Sequence, residues 1–481
     1  MPSSKPNPDT PNPYTEESHA MSAESPTTSE SAKSPTAGAS NTTAAGGDDA
    51  TNGARTSGMA GISRRRFLTG LGVGAGTGVL ATGAGAIAAD KANVGPFGQE
   101  EAAEGVIPFR GEHQAGIATA QQEHLHIVAF DVTTDKRDDL RDMLTEWTGM
   151  AERMVAGETA APLREDQRSD AAQFWVPEDS GEAIDLGTNN LTLTIGYGPK
   201  LFDKRFGLAG RRPEGFEVMP KFPSDQLVDK LCDGDIVIQA CADDPQVAVH
   251  AVRNLVRAGS GVVEVRWSQL GYGRASSTTR EQQTPRNLFG FKDGTRNVVA
   301  EETEEMDKHI WASDGNGAGG QEWMAGGSYL CARRIRMLLE TWDRQSLSDQ
   351  EHTFARYKDN GAPIGTDDEF ADVPFDLTLG REAAIPEDSH VFLAHPDNND
   401  GQRMLRRAYN FVEGSDNFGH LSAGLFFIAF VADAKKSFIP IQMKLSRNDK
   451  MNEYVRYESS AIFACPRGLG EGEDWGAQLF G

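Results

Sequence analysis

Cysteine is scarce in this chain: four residues in 481, Cys232, Cys241, Cys331 and Cys465. None forms a CxxC pair and no CxxCH occurs, so the signature for thioether attachment of a prosthetic group is missing. Cys241, Cys331 and Cys465 sit in apolar, strand-like runs. They read as buried small hydrophobes rather than disulfide partners or metal ligands. Basic residues are also outnumbered, with 47 Lys and Arg against 71 Asp and Glu, a net charge of −24. Such a surface repels a phosphate backbone, which excludes sequence-nonspecific nucleic-acid binding. It suits a soluble protein that meets neutral or cationic partners. A strongly apolar membrane span is lacking too. The uncharged stretch from Phe67 to Ala89 is long enough to cross a bilayer, but it is mostly Gly, Ala, Thr, Val and Leu. Its glycine content and the small-residue site Ala86-Ile-Ala88 favour a cleaved signal over a stable membrane anchor.

What stands before that stretch agrees. Residues 1–62, rich in Ser, Thr, Pro, Ala, Gly and Asn, read as a disordered leader. Ser63-Arg-Arg-Arg-Phe-Leu-Thr69 matches the twin-arginine export pattern at Arg64, Arg65, Phe67 and Leu68, giving a signal over 63–88. The length of the leader leaves Met1, Met21 and Met59 as alternative starts. The leader's charges nearly cancel, so the acidity belongs to the exported part. The destination is the periplasm, cell envelope or exterior.

The remainder, long enough for a large core, divides in two. In 122–289 the pattern predicts a strand over His124–Val132, a helix over Asp135–Ala156, strands at Leu191–Gly198 and Asp235–Ala242, a proline-opened helix at Pro245–Ala258 and a strand at Val262–Leu270. That βαββαβ order is ferredoxin-like. In 290–470 a second set is predicted: strand Ser328–Leu338, helix Ser346–Tyr357, strands Ser389–Leu393 and Gly424–Ala432, a largely helical Ala434–Tyr454 and strand Ser459–Pro466. The fold class is α+β.

The densest motif is Gly290-Phe-Lys-Asp-Gly-Thr-Arg-Asn297. It sets Asp293 between two glycines and beside the cations Lys292 and Arg296, as suits a base in a loop that approaches a flat ligand. Alone, such a stretch is no more than a turn. Downstream, however, come Asp388-Ser-His-Val391, Arg403-Met-Leu-Arg-Arg-Ala-Tyr-Asn410, Gly424-Leu-Phe-Phe-Ile428, Asn452-Glu-Tyr454 and Ala461-Ile-Phe-Ala464. In this order, from about Gln122 to Pro466, the chain resembles the dye-decolorizing (DyP-type) haem peroxidases. Within them it resembles the exported iron-uptake deferrochelatase/peroxidase subgroup (EfeB type).

The resemblance implies two ferredoxin-like halves of the dimeric α+β barrel type, sandwiching one non-covalent haem b per chain. It implies His390 as proximal iron ligand, with His395 the nearest rival, and Asp293 and Arg406 as the acid–base residue and cation of the peroxide face. Arg407 is the rival of Arg406; adjacent strand positions face opposite ways, so only one of them points at the site. Gly294, Thr295, Arg296, His395, Pro396 and Asp397 are implied to line the haem, with Arg296 a partner for a propionate. Asp449 is expected to accept the second N–H of His390. The implied activity is H₂O₂-dependent oxidation of dyes, phenols or ferrous iron. Alternatives are release of iron from haem with the porphyrin intact, or a non-catalytic haem carrier, which has no use for Asp293 and Arg406. Components of an iron-uptake system are implied partners, and a homodimer is the implied assembly.

Overall fold

The computed structural model describes residues 105–164 and 174–481. The leader and the export signal read from the sequence lie outside the described residues.

The N-terminal half runs β1 (His124–Val132), α1 (Arg137–Val155), β2 (Thr192–Tyr197), β3 (Ile236–Ala242), α2 (Pro245–Ala258) and β4 (Val263–Arg274). α2 starts where local chemistry dictates. Asp244 accepts from the Gln246 N–H, and Pro245 fills the first turn, where a missing N–H is harmless.

The C-terminal half runs β5 (Ser328–Met337), α3 (Leu347–Phe354), α4 (His390–Ala394), β6 (Tyr409–Ser415), β7 (Leu421–Val431), α5 (Phe438–Asn448) and β8 (Ala461–Cys465). One expectation is corrected here. Ser389–Leu393 is not a strand; His390 opens the short helix α4, with Ser389 extended in front of it. Five residues are too few to separate a helical from a strand period. The second strand of this half is β6, whose outer end carries Glu413, Gly414 and Ser415 and so shows no apolar alternation. The helix expected over Ala434–Tyr454 also breaks. Asp449 is extended (φ −71°, ψ 122°), and its side chain accepts from the Met451 N–H to start a separate 3₁₀ turn, Lys450–Glu453.

Strand order is β2-β3-β1-β4 in one half and β6-β7-β5-β8 in the other, the same ferredoxin-like order twice. β4 pairs with β6, and β8 with β2, all antiparallel, so the eight strands close into a barrel. Closure leaves neither half with a free edge. Alternation along each strand then gives an inner and an outer face. Leu125, Ile127, Phe426, Ile428 and Phe463 fill the inside.

The outer faces differ. In the N-terminal half Val128, Phe130 and Ile238 pack directly on Leu144, Trp147 and Leu255 of α1 and α2. Each such buried side chain contributes about 1.5–3 kcal/mol. The C-terminal helix α6 (Trp475–Phe480) joins this layer. In the C-terminal half α4 and α5 stand off the barrel, and a cavity opens between them and the outward residues Ile335, Met337, Leu425 and Phe427. Among the described residues no helix is long and apolar enough to cross a membrane.

Candidate active site

The cavity encloses about 1480 Å³ of space, a figure that includes its open mouth. Every residue lining it falls between Asn287 and Tyr457. It therefore lies in the C-terminal half, with Asn287 just ahead of that half's first residue.

One wall is the Gly290–Asn297 loop. Gly294 has φ +99°, and a Cβ there would meet Ser276 Cα at 3.0 Å and Ser277 N at 3.1 Å. Only glycine lets the loop lie against that main chain. The loop is tied to the short strand Leu405–Arg406 by Asn297. Its Oδ1 accepts from the Arg406 N–H (2.7 Å), and its Nδ2 donates to the Arg406 carbonyl (2.8 Å). Two of the candidate site residues are thereby brought face to face. Arg406 Nη1 donates to Asp293 Oδ1 at 3.1 Å, and Asn287 Nδ2 donates to Asp293 Oδ2 at 3.1 Å. Arg407 points away. It is fully buried, and its Nη1 donates to the Thr119 carbonyl at 2.6 Å.

The other wall carries His390. Its Nδ1 meets Asp449 Oδ2 at 2.6 Å, and the Asp449 side chain has no exposed surface. Asp449 stands at the break between α5 and the 3₁₀ turn, so the interruption of that helix is what aims the carboxylate at the imidazole. An anionic partner on Nδ1 fixes the proton there and leaves Nε2 with its lone pair. Burial pushes the His390 pKa down, but the Asp449 charge and hydrogen bond, reinforced by Asp293, outweigh it, and the net shift is upward. His390, Asp293 and Arg406 all line the same cavity.

Gly294, Thr295, Arg296, His395 and Pro396 line it as well. His395 is held below the ordinary histidine range, chiefly by burial. Asp397 does not line it. Its side chain is 76% exposed, and its backbone N–H donates to His395 Nδ1 at 3.2 Å. Arg296 turns outward, donating to the carbonyls of Phe370 (2.7 Å) and Ala371 (3.0 Å) and to Asp372 (2.9 Å).

The sequence reading missed four residues. Asn287 stands just ahead of the glycine-rich motif and Asn297 closes it, and an asparagine at each end of the loop that carries Asp293 is a signal that could have been weighed. Glu369 accepts from Lys292 and from Thr295 Oγ1 (3.0 Å), gripping the residues on both sides of Asp293-Gly294. Arg356 lines the cavity from just beyond α3. Neither has a local signal, because each reaches the site only through the packing of a long loop.

Among the described residues no three His, Cys, Asp or Glu side chains gather as a metal-holding group. A single histidine donor such as His390 suits a metal that brings most of its own ligands.

Residues 114–273 match the model for the Dyp-type peroxidase N-terminal domain, and residues 284–469 that for the C-terminal domain. The chain is 35% identical to a deferrochelatase of Yersinia pseudotuberculosis, over 86% of this chain and 94% of that one. It is 36% identical to a deferrochelatase of Escherichia coli, over 76% and 85%. A DyP-type peroxidase of Streptomyces coelicolor superposes with a TM-score of 0.70 at 36% identity, covering 78% of this chain and 97% of that one. With both family domains matched in order around this cavity, the chain belongs to the Dyp-type peroxidase family.

Proposed function

We propose that the cavity holds one non-covalent haem b per chain, with His390 Nε2 as its only protein ligand, and that the protein reduces H₂O₂ while oxidising a dye, a phenol or ferrous iron. The observation that carries this reading is the meeting, in one apolar-walled cavity, of a histidine anchored by a buried carboxylate and a separate Asp–Arg pair. Haem, when bound, supplies the redox iron at which peroxide is reduced. The residues supply the rest. Asp449 holds the His390 ring in one tautomer and orientation and raises its basicity. Asp293 Oδ1 or Oδ2 takes a proton from one peroxide oxygen and returns it to the other. The Arg406 guanidinium stabilises the negative charge that develops as the O–O bond breaks. Asn287 and Arg406, one on each carboxylate oxygen, keep Asp293 oriented.

A Soret band on haem reconstitution, with peroxide-dependent oxidation of a phenolic donor, tests this reading; absence of the band would overturn it. A second reading draws on the deferrochelatase relatives: removal of iron from haem with the porphyrin left whole, in iron uptake. Protoporphyrin fluorescence rising when the protein is incubated with haem would favour it, and a flat signal would exclude it. Export through the twin-arginine signal at Arg64 and Arg65, and a homodimeric assembly, belong to the same proposal. Conservative replacement of both arginines should retain the protein inside the cell, and the assembly is read by light scattering.

A further inference from the structure

Arg356 is buried, at 7% exposure, yet it has no carboxylate within ion-pairing distance among the described residues. It follows Ala355, which ends α3 in a left-handed conformation (φ 58°). Its Nη1 donates to the carbonyls of Gly361 (2.6 Å) and Glu369 (3.0 Å). Its Nε and Nη2 have no hydrogen-bond partner among the described residues, and the side chain lines the cavity. The neighbouring carboxylate, Glu369, is already taken by Lys292 and Thr295. The other arginines of the lining each have a carboxylate partner: Arg406 has Asp293, Arg296 has Asp372, and Arg403 has Glu302 and Glu305.

A buried guanidinium left without a counterion is costly unless an anion arrives to complete it. Burial, with the positive charges of Arg296 and Arg406 close by, pushes Arg356 down to about 10, which is still cationic at neutral pH. His395 shares this corner, within electrostatic reach of both Arg296 and Arg356. Much of the remaining lining is apolar, with Met337, Leu425, Phe427, Ile441 and Leu445. The site is thus built for a large apolar ligand with an anionic edge.

We propose that Arg356, rather than the outward-turned Arg296, is the seat for a carboxylate on the ligand that fills the cavity, which on the haem reading is a propionate. Two free donors on a planar guanidinium match the two oxygens of a carboxylate. The inference rests on the proposed haem reading and is separable from it.

The test uses the full chain prepared without haem and titrated with haemin and with haem dimethyl ester, which lacks the two charges. Dissociation constants are read from Soret absorbance or quenching of tryptophan fluorescence. Arg356→Gln should weaken haemin binding roughly 10–100-fold, the worth of a charged hydrogen bond, and leave ester binding unchanged. Arg356→Lys should recover part of the loss, while Arg296→Gln should cost less than about 3-fold, as befits an exposed pair. Equal haemin affinity in wild type and Arg356→Gln would overturn the proposal, as would an equal loss for haemin and ester. If Arg356→Gln fails to fold, the wild type decides: an ester bound as tightly as haemin also overturns it. No haemin binding by wild type would instead remove the haem reading itself.

Discussion

Asp449 and His390 are fifty-nine positions apart in the chain and 2.6 Å apart in space, joined carboxylate to imidazole with the carboxylate wholly buried. The pair exists because a helix stops one residue early: α5 ends at Asn448, and Asp449 turns inward. A charged partner of this kind sets how much electron density an imidazole passes to a metal.

Asp449→Asn should therefore shift the reduction potential of the haem-loaded protein upward, because a neutral partner stabilises the oxidised metal less. Haem affinity should fall about 10–100-fold, the usual cost of removing such a partner. Spectroelectrochemistry reads the first and titration the second; an unchanged potential would show that Asp449 merely packs.

Asp293→Asn and Arg406→Leu should leave the Soret band in place and slow the first peroxide-dependent spectral change. The expected losses are about 10²–10⁴-fold for the proton carrier and roughly 10²–10³-fold for the cation. Stopped-flow mixing with H₂O₂ measures both. Near wild-type rates in the two variants would leave the cavity as a carrier or iron-release site.

Glu369→Gln should loosen the segment around residues 369–372 and with it the loop that carries Asp293. Burial pushes the Glu369 pKa up, but Lys292, Thr284 and Thr295 pull it further down, so the net shift is below the ordinary carboxylate range. A depressed folded-state value means this contribution is present above about pH 4.3 and is lost as pH falls through the folded value. Hydrogen exchange at these amides should quicken in the variant at pH 7. Acid should narrow the difference between variant and wild type, and a gap that widens in acid would contradict the assignment.

His126 gives the opposite signature on a barrel strand. Burial pushes it down to about 4, with Nε2 against Ser268 Oγ at 2.9 Å and Nδ1 buried without a partner. Between about pH 6.5 and 4 the unfolded chain binds a proton that the folded chain refuses, so stability must fall as pH falls, by up to about 1.4 kcal/mol per unit. Urea unfolding of His126→Gln across this range should show a shallower slope than wild type. Parallel slopes would mean that His126 is solvated.

The N-terminal half was legible because its signals are local. Asp244-Pro245 opens α2, and Leu140, Met143, Leu144 and Trp147 recur at helical spacing on α1. In the C-terminal half the order of the fold was legible, but its second strand was assigned to Ser389–Leu393 instead of Tyr409–Ser415. A five-residue apolar run carries no period, and the true strand is polar at one end. At the site, Asp293, His390 and Arg406 stood out because several motifs kept their order. Arg356 and Glu369 did not: a buried arginine and an exposed one are spelled the same way, and only the tertiary placement of the 358–386 loop tells them apart.

The two halves repeat one strand order but spend their outer faces differently. Trp147 and its neighbours fill on one side the layer that stands open on the other. A large-to-small change at Trp147 is therefore felt first as lost stability, whereas one at Leu425 or Phe427 is felt first as a change in what the cavity admits.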